Sequence, residues 1–272
     1  MKIMPAALAA LISLGVFWLG KAAASGADLQ RIELDFDVET RSMSDGPLTV
    51  TLSMDARSGD LTPIMTLHHE GRLVLEAEGT PNGYWSPHGN ATFVEMDAGN
   101  PHPEVVFRSH SGGSVCCSHL VIATIAPDGE TWMVVEEALP GDLEPLADAD
   151  GDGLHELVSR NFTFLVPGFD CNACNGAPLV IESLTQGEII DVSREPRFQP
   201  AHRREVDDME AFARKHDRLQ SIGWLTGWAA QKALVGEGED AMKHVESVYD
   251  RKEFPDFPEA LGQFLKDTGY LQ

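Results

Sequence analysis

Between Ile32 and Val192 the chain is a succession of short β-branched or alternating runs, each stopped by Gly, Pro, Asp or Asn. The runs are "PLTVTLSM", "RLVLEAEG", "ATFVEM", "PEVVFRS", "HLVIATIAPDGETWMVVEE", "HELVSRNFTFLV", "APLVIESL" and "EIIDVS". Residues that alternate apolar and polar over so few positions suit a half-buried strand, and the turn residues between them suit hairpins. "PDGE", between two strongly apolar runs, is the clearest such turn. The pattern implies a meandering, mostly antiparallel β domain over residues 28–195. After Arg194 the texture changes: "REPRFQPAHRRE" reads as a connector, and periodic apolar residues follow it. Met209, Phe212, Ala213, His216 and Leu219 recur at helical steps, as do Leu225, Trp228, Ala229 and Ala233, then Ala241, Val245, Val248 and Tyr249. A last helix is expected in "FPEALGQFLKDTGYLQ", with Pro258 at its first position and Gly269 past its end. The expected fold class is therefore α+β, a β domain followed by a small C-terminal helical unit over residues 202–272. Trp224 and Trp228 are expected in that unit's core rather than in a ligand box.

Residues 1–24 carry one early base, Lys2, an apolar run from Ile3 to Gly20, and small residues at the end, which is the form of a secretory signal peptide. Cleavage after Ala24 satisfies the A-x-A pattern and starts the mature chain at Ser25, with a second register at Asp28. The competing reading is an uncleaved anchor, since the run approaches the shortest spanning length. Cleavage would leave 248 residues and, by removing Lys2 and Lys21, take the formal charge from −23 to −25. Such a body repels nucleic acid and anionic membranes. The expected location is periplasmic or secreted, with no membrane association after cleavage. There an even cysteine count favours disulfides, so Cys116, Cys117, Cys171 and Cys174 are expected to form two, joining the 116/117 region to the 171/174 loop. Closing the 54-residue separation from Cys117 to Cys171 would contribute about 4 kcal/mol in the chain-entropy model. Three pairings remain open. A redox role for "CNAC" would need a helix start, where the sequence has loop residues, and a thiolate metal site competes with oxidation.

The stretch "LADADGDGLHELVSRN" places Asp148, Asp150, Asp152 and Glu156 around two glycines. Carboxylates this close repel unless a cation sits among them, and hard oxygen ligands in a flexible loop favour calcium over zinc or copper. An EF-hand is excluded, because its twelfth position counted from Asp148 is Ser159 and the flanks are strand-like. A plain solvated hairpin is the competing reading. A weak internal repeat aligns "VEMDAGNPHPEVVFRS" with this stretch, Glu104 over Glu156 at a 52-residue offset. The first copy has Met96, Ala98 and Asn100 where the second has Asp148, Asp150 and Asp152, so it is expected to bind metal poorly if at all.

The pattern D-x-D-x-D-G-x-x-E resembles the calcium loops of FG-GAP or VCBS-type β repeats. The resemblance implies Asp148, Asp150, Asp152 and Glu156 as side-chain ligands and the carbonyl of Leu154 as a further one. "PEVVFRSHSGGSVCCSHL", "FDCNACNGAP", "DVSREPRFQPAHR" and "PEALGQFLKDTGYL" extend it to a set of exported, largely uncharacterised bacterial proteins that carry those repeat labels. That resemblance implies a compartment and a fold, and no reaction. Ser111, Ser114, His110 and His119 compose no recognised nucleophile motif. Two function classes follow: a calcium-stabilised, disulfide-braced extracytoplasmic module that binds an unidentified protein or envelope component, or an exported hydrolase whose site assembles only on folding.

Overall fold

The computed structural model describes residues 29–34, 40–55, 61–81, 89–110, 116–140, 145–164, 176–252 and 254–272. The leader-like segment, Ser111, Ser114, Cys171 and Cys174 lie outside the described residues, while Cys116 and Cys117 begin a strand. The disulfide expectation therefore falls mostly on residues outside the description.

Among the described residues the strands form three antiparallel sheets. The first holds β2 (Arg41–Asp45), β3 (Leu48–Asp55), β4 (Thr62–His69) and β5 (Arg72–Glu78) in chain order. The second holds β6 (Gly89–Val94), β7 (Glu104–His110), β8 (Cys116–Ile125) and β9 (Trp132–Pro140) in chain order. Its fifth strand, β1 (Arg31–Leu34), pairs with the β6 edge. The third holds β10 (Leu146–Ala147), β11 (Glu156–Arg160), β12 (Leu179–Thr185) and β13 (Glu188–Asp191), again in order. The expected "PDGE" hairpin joins β8 to β9, with Asp128 Oδ1 accepting the Glu130 and Thr131 amides and Gly129 at φ +71°.

The sheets stack as layers. Leu48, Val50, Leu52, Met65 and Leu67 of the first sheet pack against Ala91, Phe93, Val105, Phe107 and Val121 of the second. The alternate residues Val106, Leu120 and Ile122 pack on the other side, against Leu146, Leu157 and Leu184 of the third sheet. This two-sided covering explains why every residue of β6 and β7 is buried. The third sheet turns Ile181 toward Phe198 and Ala201, where the helical unit begins.

That unit comprises α1 (Gln199–His216), α2 (Ile222–Leu234), α3 (Gly238–Val248) and α4 (Phe257–Asp267). Trp224 and Trp228 are buried and stacked 5.2 Å apart, as core residues. Pro258 lies in the first turn of α4 and Gly269, at φ +77°, follows its end. Two details differ from the sequence reading. Helix α1 starts inside the segment read as a connector, because Pro200 falls in its first turn, where a missing N–H costs nothing. Its buried face is Ala201, His202, Val206, Met209 and Ala213, which leaves Phe212 54% exposed.

A buried polar network fixes the helices to the third sheet. His202 Nε2 lies 2.7 Å from the Ser193 carbonyl, so that nitrogen carries the proton, and Gln231 Nε2 donates to His202 Nδ1 at 3.0 Å. Gln231 Oε1 in turn accepts the Leu179 amide at 2.9 Å. Burial holds the His202 imidazole below its ordinary pKa, in keeping with its neutral role. Gly227 permits the closest approach: a Cβ there would lie 2.2 Å from the Gly176 backbone.

Glu182, on β12, supplies a pH dependence. Burial pushes its carboxyl up to about 7, and Glu137 and Asp191 push the same way. Because the folded value exceeds that of a free glutamate, the stability associated with this group is fully present below the unfolded pKa and is lost as pH rises through about 7. Glu182→Gln should therefore become more stable relative to the parent between pH 5 and pH 8, by about 1 kcal/mol after allowance for solvent screening. Denaturant unfolding at the two pH values measures this, and parallel curves for parent and variant would contradict it.

Candidate metal centre

The pairing of Ala147 with Glu156 closes the loop 148–155 at the tip of the β10–β11 hairpin. Within it the Asp148 carboxylate accepts the Gly151 amide at 2.7 Å and the Gly153 amide at 3.2 Å. Asp150 Oδ1 accepts the Asp152 amide, and Asp152 Oδ1 the Leu154 amide. Short side chains that accept amides two to five residues ahead curl the backbone around themselves. Gly151 at φ +85° and Gly153 at φ +96° supply the left-handed steps the curl needs.

The curl brings oxygen atoms of Asp148, Asp150 and Glu156 within 4.8 Å of one another, a group that could hold a metal ion. Asp152 lies outside this group, with Oδ2 3.6 Å from Arg197 Nη1. Leu154 contributes its amide to the loop. Glu156 is 2% exposed, yet among the described residues it accepts a single hydrogen bond, from the Ala149 amide at 3.0 Å. Burial pushes its carboxyl up to about 7; the Ala149 hydrogen bond lowers it, Asp150 and Asp152 raise it, and Arg197 lowers it.

At the 52-residue offset Glu104 and Glu156 each open the second strand of a hairpin. Val94 pairs with Glu104 at the base of the β6–β7 hairpin, and Glu104 is fully buried, the counterpart of Glu156. Glu104 Oε2 accepts the Met96 amide at 2.7 Å and the Asp97 amide at 3.2 Å. Its Oε1 accepts Asn100 Nδ2 at 2.5 Å and the Thr124 hydroxyl at 2.8 Å. Burial still raises its carboxyl, against the lowering effect of all four donors. Asn100 aligns with Asp152, so an amide donor in one loop becomes a carboxylate in the other. Thr124 aligns with Ser183, each one residue beyond the equivalent cross-strand pairs Val105–Ala123 and Leu157–Glu182. Glu104 thus meets two loop amides, Asn100 and Thr124, whereas Glu156 keeps one loop amide and has an acid, Asp152, at the place of Asn100.

Sequence reasoning missed Arg197, in the 3₁₀ turn Pro196–Phe198 before α1. Its Nη1 donates to Asp150 Oδ2 at 3.1 Å, its Nε to Glu195 at 2.8 Å, and its Nη2 reaches the Ser183 hydroxyl at 3.4 Å. Arg204, on α1, donates to the Ala149 carbonyl at 3.3 Å. Ala149 itself packs in the apolar cluster with Phe198 and Ala201. The loop is therefore held between the third sheet and the start of the helical unit.

Comparison with known proteins places the similarity across both parts. Residues 202–269, from the first turn of α1 to the glycine after α4, match the family model described as the sll0997 C-terminal domain. The chain is 28% identical over 234 residues to a protein of Synechocystis sp. described as "Probable thylakoid lumen protein sll0997", which covers 77% of this chain and 68% of that protein. It is 31% identical over 254 residues to the "Uncharacterized protein y4bJ" of Sinorhizobium fredii, which covers 84% of this chain and 40% of that one. The chain thus spans less than half the length of the rhizobial relative and is homologous to both.

Proposed function

We propose that this chain is an extracytoplasmic binding or structural module in which one calcium ion, held by Asp148, Asp150 and Glu156, fastens the third sheet to the helical unit. Asp152 and the Leu154 carbonyl complete the ligand set, as in the FG-GAP-like loops the pattern resembles. The observation that carries the reading is the contrast between the two loops. Glu104 is buried with four donors, whereas Glu156, buried at the equivalent place, has one donor and two neighbouring carboxylates. A divalent cation supplies the missing positive charge, and an all-oxygen set in an adaptable loop suits calcium.

The compartment is supported by the leader-like first 24 residues and by the lumenal description of the cyanobacterial relative. Among the described residues no helix is long and apolar enough to cross a membrane. Two disulfides among the four cysteines belong to the same reading, as braces suited to an oxidising compartment. The partner is a protein or an envelope component. Nucleic acid is disfavoured by a formal charge of −23.

Calorimetric titration tests the ion. Calcium should bind once, with a dissociation constant of about 0.1–1 mM as in extracellular modules. The double variant Asp150→Ala, Asp152→Ala should show no heat of binding. Titration of the parent to several millimolar calcium without a signal would leave the loop an acidic hairpin.

A further inference from the structure

We propose that His202 is an acid-sensitive latch: a second proton on its ring breaks the hydrogen-bonded bridge between the helical unit and the third sheet, so that acid frees α1 and α2 from β12 while the sheets stay folded.

The bridge admits one arrangement of protons. The Ser193 carbonyl can only accept, so His202 Nε2, 2.7 Å from it, carries the ring proton. Gln231 is oriented as tightly, because the Leu179 amide can only donate and the His202 carbonyl can only accept. Its Oε1 therefore faces the Leu179 amide at 2.9 Å, and its Nε2 faces the His202 carbonyl at 3.1 Å and His202 Nδ1 at 3.0 Å. With a donor pointing at it, Nδ1 must be bare. His202 and Gln231 are both 0% exposed, and Ser193 is pinned in turn, its hydroxyl accepting the Ile181 amide at 2.8 Å.

A proton on Nδ1 sets two donors against each other. Turning the Gln231 amide over gives Nδ1 an acceptor, but it sets N–H groups against the Leu179 N–H and an oxygen against the His202 carbonyl. Either way a buried donor is left without a partner, the costly case for a polar group away from water. The acids whose charge reaches the ring are engaged elsewhere. Glu205, one turn along α1, accepts from Arg160 of β11, and Asp191, at the end of β13, accepts the Ser193 amide and hydroxyl. From α2 the facing group is the uncharged Gln231, and from β12 it is the Leu179 backbone. Burial accordingly holds the imidazole below its ordinary pKa, against the Ser193 hydrogen bond, Glu205 and Asp191, which pull the other way. Because the folded value is depressed, a released ring takes the proton first. The bridge's contribution is whole above the ordinary histidine pKa and is lost as pH falls through the folded value.

The helical unit has a core of its own to keep when the bridge opens. Ala213, Leu225, Trp228, Val245 and Leu261 belong to one cluster, and Ile181, Phe198 and Ala201 to the smaller one at the junction.

Hydrogen exchange of the full chain, corrected for its intrinsic pH dependence and followed by NMR alongside the His202 ring signals, tests the latch. Below the ordinary histidine pKa, protection of the Leu179 amide and over α1 should fall about tenfold per pH unit, as linkage to one proton requires, while β7 and β8 keep theirs. Gln231→Glu places an acceptor opposite Nδ1. In that variant His202 should take its second proton about 1–3 pH units higher, and Leu179 should stay protected through the histidine range. His202→Gln, which has no second proton to take, should likewise lose the acid response. A parent in which His202 gains the proton with Leu179 still protected overturns the latch, as does a loss of protection that reaches β7 and β8 at the same pH. An acid response in Gln231→Glu equal to the parent's overturns it too. Should both variants fail to fold, the order of loss in the parent decides alone.

Discussion

Glu104→Ala should destabilise the protein by about 3–5 kcal/mol, the scale of removing a buried charge from its partners. The side chain is fully buried and accepts four hydrogen bonds, from the Met96 and Asp97 amides, the Asn100 amide and the Thr124 hydroxyl. Alanine leaves all four donors facing a cavity that offers no acceptor. Two are backbone groups of the 95–103 loop, and the Thr124 hydroxyl belongs to the neighbouring strand β8, so the loss reaches the centre of the second sheet. Glu156→Ala, measured in chelator, should cost only about 1 kcal/mol, because Glu156 accepts one bond and stands beside two carboxylates whose repulsion it adds to. The difference between these two buried glutamates, measured by denaturant unfolding in chelator, is what the proposed cation site at the second loop predicts. Equal losses at the two positions would contradict that distinction.

The meander of antiparallel hairpins was legible because alternation and turn chemistry are local, whereas the pairing of β1 with β6 was not. "PDGE" encodes its own hairpin through Asp128 and Gly129, and the helical face of α4 is written between Pro258 and Gly269. The stacking of three sheets was not legible: β6 and β7 are covered on both sides, and a two-sided strand carries no alternation to show which neighbour each face meets. Helix α1 began earlier than its apolar rhythm suggested. The residues that anchor it, His202 and Ala201, meet partners from the third sheet and α2 that no local pattern reveals.

The candidate site divides in the same way. Asp148, Asp150 and Glu156 converge because their spacing and the two glycines build the curl locally. The 52-residue alignment of Glu104 with Glu156 was visible, and the substitution of Asn100 for an acid was visible with it. What that substitution does depends on Thr124, which the sequence separates from Glu104 by twenty positions and the β7–β8 pairing brings within 2.8 Å. Arg197 lies 47 residues from Asp150, inside a segment that reads as a connector, and only the packing of the helical unit on the third sheet delivers it to the loop.

In the proposed function the 148–156 loop binds calcium and the ion fastens the third sheet to the helices. Three carboxylates whose oxygens meet within 4.8 Å repel one another, and a shared divalent ion converts that repulsion into attraction. An ion that binds only the folded chain stabilises it by linkage, about 2.7 kcal/mol at a hundred times the dissociation constant. For a chain of this size that corresponds to a rise of about 5–10 °C in melting temperature. The Ala149 packing against Phe198 and the Arg204 bond to the Ala149 carbonyl tie the loop to the helical unit, so under the proposed calcium binding both should melt later together. The direct measurement is thermal unfolding of the full chain in saturating calcium and in chelator, followed at once by the helical circular dichroism signal and by tryptophan fluorescence. The account predicts a calcium-dependent rise seen equally by both probes and absent from the Asp150→Ala, Asp152→Ala double variant. Identical melting in calcium and in chelator would contradict it.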